Sequence, residues 1–185
     1  MRSTAALILL IVGCQGEKVS EPSDAASADS SEVGACNVPG NLALNPSFEV
    51  ASDVSVVNWP ASFKSKVGGA HDCERYVEWR MSEDFELASQ MYVPLGGEAP
   101  AGTVFELAVW VKSLDGNTAP LNLYFEGAKD DYSQKQTTAI TAEWTHVGAS
   151  FTLTKPTSEA TIAFRVGGPG KRAFAFDLVT LIRKS

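Results

Sequence analysis

The stretch TVFELAVWVKS, Thr103 to Ser113, decides the fold because its side chains alternate between two faces. One face carries Phe105, Leu107, Val109 and Val111, and the other carries Glu106, Ala108, Trp110 and Lys112. A repeat of two residues with one apolar face is typical of a β-strand that covers a core. This stretch therefore predicts a strand with Trp110 on its more polar side.

The next segment along the chain, LNLYFEG from Leu121 to Gly127, alternates in the same way. Its apolar face carries Leu121, Leu123 and Phe125, and its polar face carries Asn122, Tyr124 and Glu126. The turn-forming residues LDGNTAP separate the two segments, which favours a β-hairpin. In that hairpin Trp110 and Tyr124 would lie directly opposite each other on the polar face.

Most of the remaining chain from Cys36 onward also consists of short alternating segments bounded by Gly, Pro, Asn and Asp, with little helical periodicity. The clearest are RYVEWRM (75–81), LASQMYVPL (87–95), THVGASFTLT (145–154), EATIAFRVG (159–167) and AFAFDLVTLIR (173–183). Eight or more strands without a helix predict an all-β fold, an antiparallel sandwich of two sheets.

Composition limits the classes of function. The chain has 185 residues, 44% of them hydrophobic, which suits one globular domain with a tail. Its formal net charge is −7 and its pI about 4.8, and Lys and Arg do not cluster on an aromatic framework. We therefore expect no nucleic-acid partner.

The first residues, MRSTAALILLIVGCQG, resemble a bacterial lipoprotein signal peptide with IVGC as the lipobox. The resemblance implies cleavage of residues 1–13, lipidation of Cys14 and anchoring to a membrane of the cell envelope, with Gln15 favouring the outer membrane. The alternative is an ordinary secretory leader. Residues 14–35, acidic and rich in Ser and Ala, predict a disordered tether ahead of a domain at 36–185.

Two cysteines remain if Cys14 carries lipid, namely Cys36 and Cys73. In an oxidising compartment such a pair is expected to form a disulfide. A pair of free, buried thiols is the alternative.

The order of the segments resembles that of the CenC-type carbohydrate-binding modules, from NLALNPSFE (41–49) through NWP and the segments above to FAFDLVTLIR (174–183). The resemblance implies a jelly-roll sandwich of galactose-binding-like topology that binds glycans without catalysis. It also implies a structural calcium ion held by Glu49 and Asp177, since Ca²⁺ prefers oxygen ligands. Alternatively, Asp177 accepts backbone hydrogen bonds or pairs with a cation.

Sugars are bound by exposed aromatic faces flanked by polar side chains. The candidate ligand-binding residues on polar strand faces are Trp110, Tyr124, Tyr76, Glu78, Arg80 and Arg165. Tyr132, in the segment KDDYSQKQTT that is predicted to be a loop, is a further candidate. An alternative reading buries Trp110 under a bent strand or under a covering loop such as KDDYSQKQ (129–136).

The sequence predicts a protein that is not an enzyme. It contains neither G-x-S-x-G nor H-E-x-x-H, and its two histidines, His71 and His146, stand alone. Asp72 and Cys73 follow His71 and could bind a metal with it, but without a second pair of ligands an exposed loop histidine is the preferred reading. The predicted function is glycan binding by a membrane-anchored lipoprotein of the cell surface or periplasm. The alternative is a structural or protein-interaction domain, which buried rings and an apolar patch elsewhere would favour.

Overall fold

The computed structural model describes residues 36, 38–51, 56–82, 86–166 and 170–184, without the side chains of residues 89–91. The predicted leader, the lipidated Cys14 and the tether lie outside the described residues. Within the described ranges no helix has the length and apolarity to cross a membrane.

Nine β-strands and no helix form the part of the chain that the structure describes. They are β1 (Phe63–Val67), β2 (Arg75–Arg80), β3 (Glu86–Ala99), β4 (Val104–Ser113), β5 (Pro120–Glu126), β6 (Tyr132–Ala139), β7 (Thr145–Thr152), β8 (Thr157–Val166) and β9 (Ala173–Arg183).

Two antiparallel sheets pack face to face. The five-stranded sheet has the order β1-β2-β9-β4-β7, and the four-stranded sheet has the order β3-β8-β5-β6. Every strand pairing is antiparallel. The predicted all-β jelly-roll sandwich is confirmed.

The predicted hairpin between β4 and β5 is wrong, because the two strands lie in different sheets. β4 pairs with β7 and β9, whereas β5 pairs with β6 and β8. Their apolar faces meet across the core instead, with the rings of Phe105 and Phe125 5.5 Å apart. A strand with one apolar face has the same alternation whether its chain neighbour lies beside it or opposite it.

Aromatic rings from both sheets fill the core. Phe176 of β9 lies 5.6 Å from Phe63 of β1 and 5.0 Å from Phe164 of β8, measured between ring centres. All three side chains are fully buried. Phe176 thus joins the five-stranded sheet to the four-stranded one.

The segment before β1 is attached to the C-terminal part of β9 in the five-stranded sheet. Asn41 bridges to Ile182 of β9, and its amide accepts the N–H of Leu181 and donates to the carbonyl of Val179. Asn45, in the left-handed conformation with φ 47°, then turns the chain. Phe48, which follows this turn, is fully buried.

We expect Phe176→Ala to lower the free energy of unfolding by roughly 3–5 kcal/mol, because it leaves a cavity between the two sheets. Urea unfolding of the full chain measures this change. Val67→Ala is the matched control, since Val67 is 65% exposed and its truncation should change stability by less than about 0.5 kcal/mol. Equal effects of the two substitutions would contradict the assignment of Phe176 to the core.

Candidate functional site

The six predicted ligand-binding residues lie on two separate outer faces of the sandwich. Trp110 of β4 shares the five-stranded sheet with β2, which carries Tyr76, Glu78 and Arg80. Tyr124 of β5 and Arg165 of β8 belong to the four-stranded sheet. The expected position of Trp110 opposite Tyr124 is therefore wrong, for the same reason as the hairpin.

The face of β2 was predicted correctly. Val77, Trp79 and Met81 are buried, while Tyr76 and Glu78 are half-buried and Arg80 is exposed. The guanidinium of Arg80 pairs with the carboxylate of Glu78 at 3.0 Å.

Trp110 is covered by a neighbouring loop. The ring of His71 stacks on it with centres 3.5 Å apart and planes 15° apart. His146 of β7, directly across from Trp110 in the ladder, contacts it at 5.0 Å. The predicted alternative of a covered Trp110 matches the structure, although the covering loop is the one that carries His71.

The rings of Tyr76 and Trp144 form a second aromatic cluster on this face, and the side chain of Lys112 contacts both of them. The ammonium of Lys112 lies 4.5 Å from the ring centre of Trp144 and 5.5 Å from that of Tyr76. Burial raises the pKa of the Tyr76 hydroxyl above its ordinary value, and the Glu78 carboxylate raises it further. The rings here are thus engaged by neighbouring side chains.

Asp177 of β9 fixes the loop that covers Trp110. Its side chain is fully buried, and its Oδ2 accepts the N–H of Asp72 at 2.7 Å while its Oδ1 accepts that of Leu178 at 2.7 Å. Burial raises the pKa of this carboxyl to about 6, and these backbone N–H groups oppose the rise. The position of His71 over Trp110 follows from this bond to the adjacent residue.

Glu49 holds the other end of the same loop. Its Oε1 accepts the N–H groups of Glu74 at 3.1 Å and Arg75 at 2.9 Å. Between the two carboxylates, Cys73 forms a disulfide with Cys36, which confirms the predicted pairing. Residues 71–75, hereafter the latched loop, are therefore tied down at three points.

The described side chains around Glu49 fit a calcium ion only in part. Glu49 groups with Cys36 and Cys73 in space, but both sulfurs are used in the disulfide and Ca²⁺ prefers six to eight oxygens. Asp177 directs both of its oxygens at N–H groups. Backbone hydrogen bonds, the predicted alternative for Asp177, are present, and calcium binding at Glu49 and Asp177 stays a prediction.

The calcium prediction is tested by thermal unfolding. If an ion binds at Glu49, the midpoint temperature of unfolding should fall by several degrees when a chelator is added and recover with Ca²⁺. The reason is that the ion binds only the folded chain. The Glu49→Gln variant should lose this response. Equal midpoints of the natural chain with chelator and with Ca²⁺ would contradict the site.

The outer face of the four-stranded sheet presents a pair of tyrosine rings. Tyr124 of β5 and Tyr132 of β6 stack with centres 5.8 Å apart and planes 22° apart. Tyr124 is half-buried, whereas Tyr132 is 65% exposed. The sequence had placed Tyr132 in a loop, but it begins β6 directly across from Glu126.

Polar side chains surround these rings in register. Tyr124 lies across from Gln134, and Asn122 lies between Gln136 of β6 and Arg165 of β8. The hydroxyl of Tyr124 donates to Glu126 Oε2 at 3.2 Å. Burial, together with the Glu126 carboxylate, raises the pKa of the Tyr124 hydroxyl above its ordinary value.

A depression of about 240 Å³ lies beside Glu126, the residue that accepts the hydrogen bond of the Tyr124 hydroxyl. Tyr92, which is 56% exposed, lines it together with Glu126, Lys129 and Glu159. We name the outer surface that carries Asn122, Tyr124, Glu126, Tyr132, Gln134, Gln136 and Arg165 the tyrosine face. It combines an exposed ring with amide, carboxylate and guanidinium groups, which suits a polar ligand that has apolar C–H surfaces.

Comparison with known proteins gives matches among solved structures only. No protein-family model matches the chain. No curated protein matches it either.

The solved structures that match include three carbohydrate-binding modules. TmCBM61 in complex with beta-1,4-galactotriose matches at a TM-score of 0.57 and 19% identity, over 78% of this chain and 99% of that one. A family 16 carbohydrate-binding module matches at a TM-score of 0.57 and 17% identity, over 77% of this chain and 99% of that one. A CBM4 structure matches at a TM-score of 0.52 and 15% identity, over 76% of this chain and 99% of that one. At these identities the similarity establishes the fold.

Proposed function

We propose that this protein binds carbohydrate without catalysis, through the tyrosine face. The observation that carries the proposal is the exposed ring of Tyr132 stacked on Tyr124 at 5.8 Å. A flat ring that is open to solvent can pack against the C–H face of a pyranose. Asn122, Gln134 and Arg165 border the pair and offer donors and acceptors for sugar hydroxyl groups.

The tyrosine face fits a sugar better than the surface around Trp110 does. His71 already stacks on Trp110 at the distance that a ligand ring would take. Lys112 lies against Trp144 and Tyr76. A sugar ring that stacked on these aromatic rings would have to displace these groups, whereas Tyr132 is 65% exposed.

Similarity in fold supports the proposal. Three matching structures are described as carbohydrate-binding modules, and one of them is in complex with an oligosaccharide of galactose. The segment order, which resembles that of CenC-type modules, agrees with this class. Because fold and function are separable, the similarity supports only the class of function, and the site carries the proposal.

We expect Tyr132→Ala to weaken glycan binding by about tenfold or more, because aromatic anchors carry much of the affinity of such sites. A glycan array of neutral oligosaccharides that includes beta-1,4-galactotriose, probed with the full chain, identifies the ligand. Titration calorimetry then compares the variants. Tyr132 is exposed, so its loss should leave thermal stability almost unchanged.

Tyr76→Ala is the matched control, since it removes a tyrosine from the other sheet. Affinity should be retained in this variant. Equal weakening by both substitutions, or no glycan bound by the natural chain, would contradict the proposal. The second outcome would favour the predicted alternative of a structural or protein-interaction domain.

We further propose that the domain is held at the cell envelope by lipid on Cys14, with the outer membrane as the favoured location. The resemblance of residues 1–14 to a lipoprotein signal peptide supports this proposal. A lipid anchor would keep the tyrosine face near surface or periplasmic glycans.

We expect Cys14→Ser, expressed in a bacterium that processes lipoproteins, to move the protein from the detergent phase to the aqueous phase in a Triton X-114 partition. Removal of the acylated residue abolishes the hydrophobic anchor. Cys36→Ser combined with Cys73→Ser is the control, and it should stay in the detergent phase. A Cys14→Ser protein that partitions like the natural chain would contradict lipidation.

A further inference from the structure

The outer surface of the five-stranded sheet collects cations on a protein whose formal net charge is −7. Lys64 of β1 lies across from Glu78 of β2, and Lys66 lies across from Tyr76. Arg80 extends from the end of β2. These three cations line one depression of about 480 Å³. We name the surface formed by Lys64, Lys66, Arg80 and Lys112 the basic face.

The strand register gives this face a low centre with cations on both sides. Ala175 of β9 lies between Glu78 and Lys112 in the ladder, and its side chain adds little height above the sheet. Lys64 and Lys112 are three strand spacings apart along this row, roughly 14 Å at the backbone. A ligand the size of a few sugar rings would reach cations at both of its ends.

Most of the negative charge in the depression is already engaged by the protein. Glu86 accepts hydrogen bonds from the N–H and hydroxyl of Ser82, and from the indole of Trp79 at 3.4 Å. Glu78 pairs with Arg80. The ammonium group of Lys66, by contrast, has no hydrogen-bond or ion-pair partner among the described residues.

Lys112 is held in a fixed position on the other side of the face. Its ammonium lies over the rings of Trp144 and Tyr76, at 4.5 Å and 5.5 Å from their centres. The rings attract the cation but do not neutralise its charge. An anionic group above Ala175 would therefore meet a positive charge that is already positioned.

We propose that the basic face is a second carbohydrate-binding site, and that it takes sugars that carry a carboxylate. Among the described residues of this face, four cations accompany two carboxylates, one of which pairs with Arg80, and the surplus positive charge complements a ligand with a negative charge on each ring or on every second ring. Ser62, Ser82 and Glu78 on the rim offer partners for sugar hydroxyl groups. Nucleic acid is disfavoured, because its charge is far denser and the protein as a whole is acidic.

This inference is independent of the tyrosine face, because the two surfaces belong to different sheets. The site would let one domain hold a neutral and an acidic glycan at the same time. Since the binding is largely electrostatic and exposed, it should weaken as ionic strength rises.

The test uses the full chain and a matched pair of ligands, a tetragalacturonate and the same oligosaccharide with its carboxyl groups methyl-esterified. We expect calorimetry at low ionic strength to detect the acidic ligand and not the ester. The Lys64→Gln, Lys66→Gln double variant should bind the acidic ligand at least tenfold more weakly. Both side chains are exposed, so folding should be unaffected.

Two controls make the result specific. Lys129→Gln combined with Lys135→Gln removes the same charge elsewhere and should leave the affinity for tetragalacturonate unchanged, as should Tyr132→Ala. The proposal is overturned if the natural chain does not bind the acidic ligand or if the ester binds equally well. It is also overturned if either control variant weakens binding as much as the double variant does, or if duplex DNA binds as tightly.

Discussion

The buried carboxylate of Asp177 is the constraint on which one side of this sandwich depends. A fully buried acid is costly unless donors surround it, and burial raises its pKa to about 6. The backbone of the latched loop supplies a donor at Asp72. The same loop brings Cys73 to Cys36 and His71 onto Trp110. The Asp177 side chain thus helps to place the latched loop over the outer surface of the five-stranded sheet.

The two sheets consequently present different chemistry to solvent. On the five-stranded sheet the aromatic rings contact His71 and Lys112, and Lys64, Lys66 and Arg80 add positive charge around one depression. On the four-stranded sheet the ring of Tyr132 stays open and is bordered by amides. A jelly roll has two outer faces, and in this chain they differ in charge and in the exposure of their rings.

The sequence predicted strands and their faces well, because alternation is a local property. It correctly placed Val77 and Trp79 in the core and Tyr76 outside. It failed on pairing, because β4 and β5 have the same alternation in one sheet as in two. Tyr132 was assigned to a loop because its segment is wholly polar, which is what an exposed edge strand allows. The stack of His71 on Trp110 joins positions 39 residues apart, and no local pattern reports it.

The disulfide has a mechanical consequence. Cys36 precedes the segment that bridges to β9, and its bond to Cys73 closes a covalent ring across a sequence separation of 37. A pull on the chain ahead of Cys36 therefore passes through the sulfur bridge to the latched loop and the start of β2. Such a pull cannot extend the chain between the two cysteines, which includes β1 at the edge of its sheet. The disulfide should therefore oppose the detachment of β1 from β2 when a force acts on the chain ahead of Cys36.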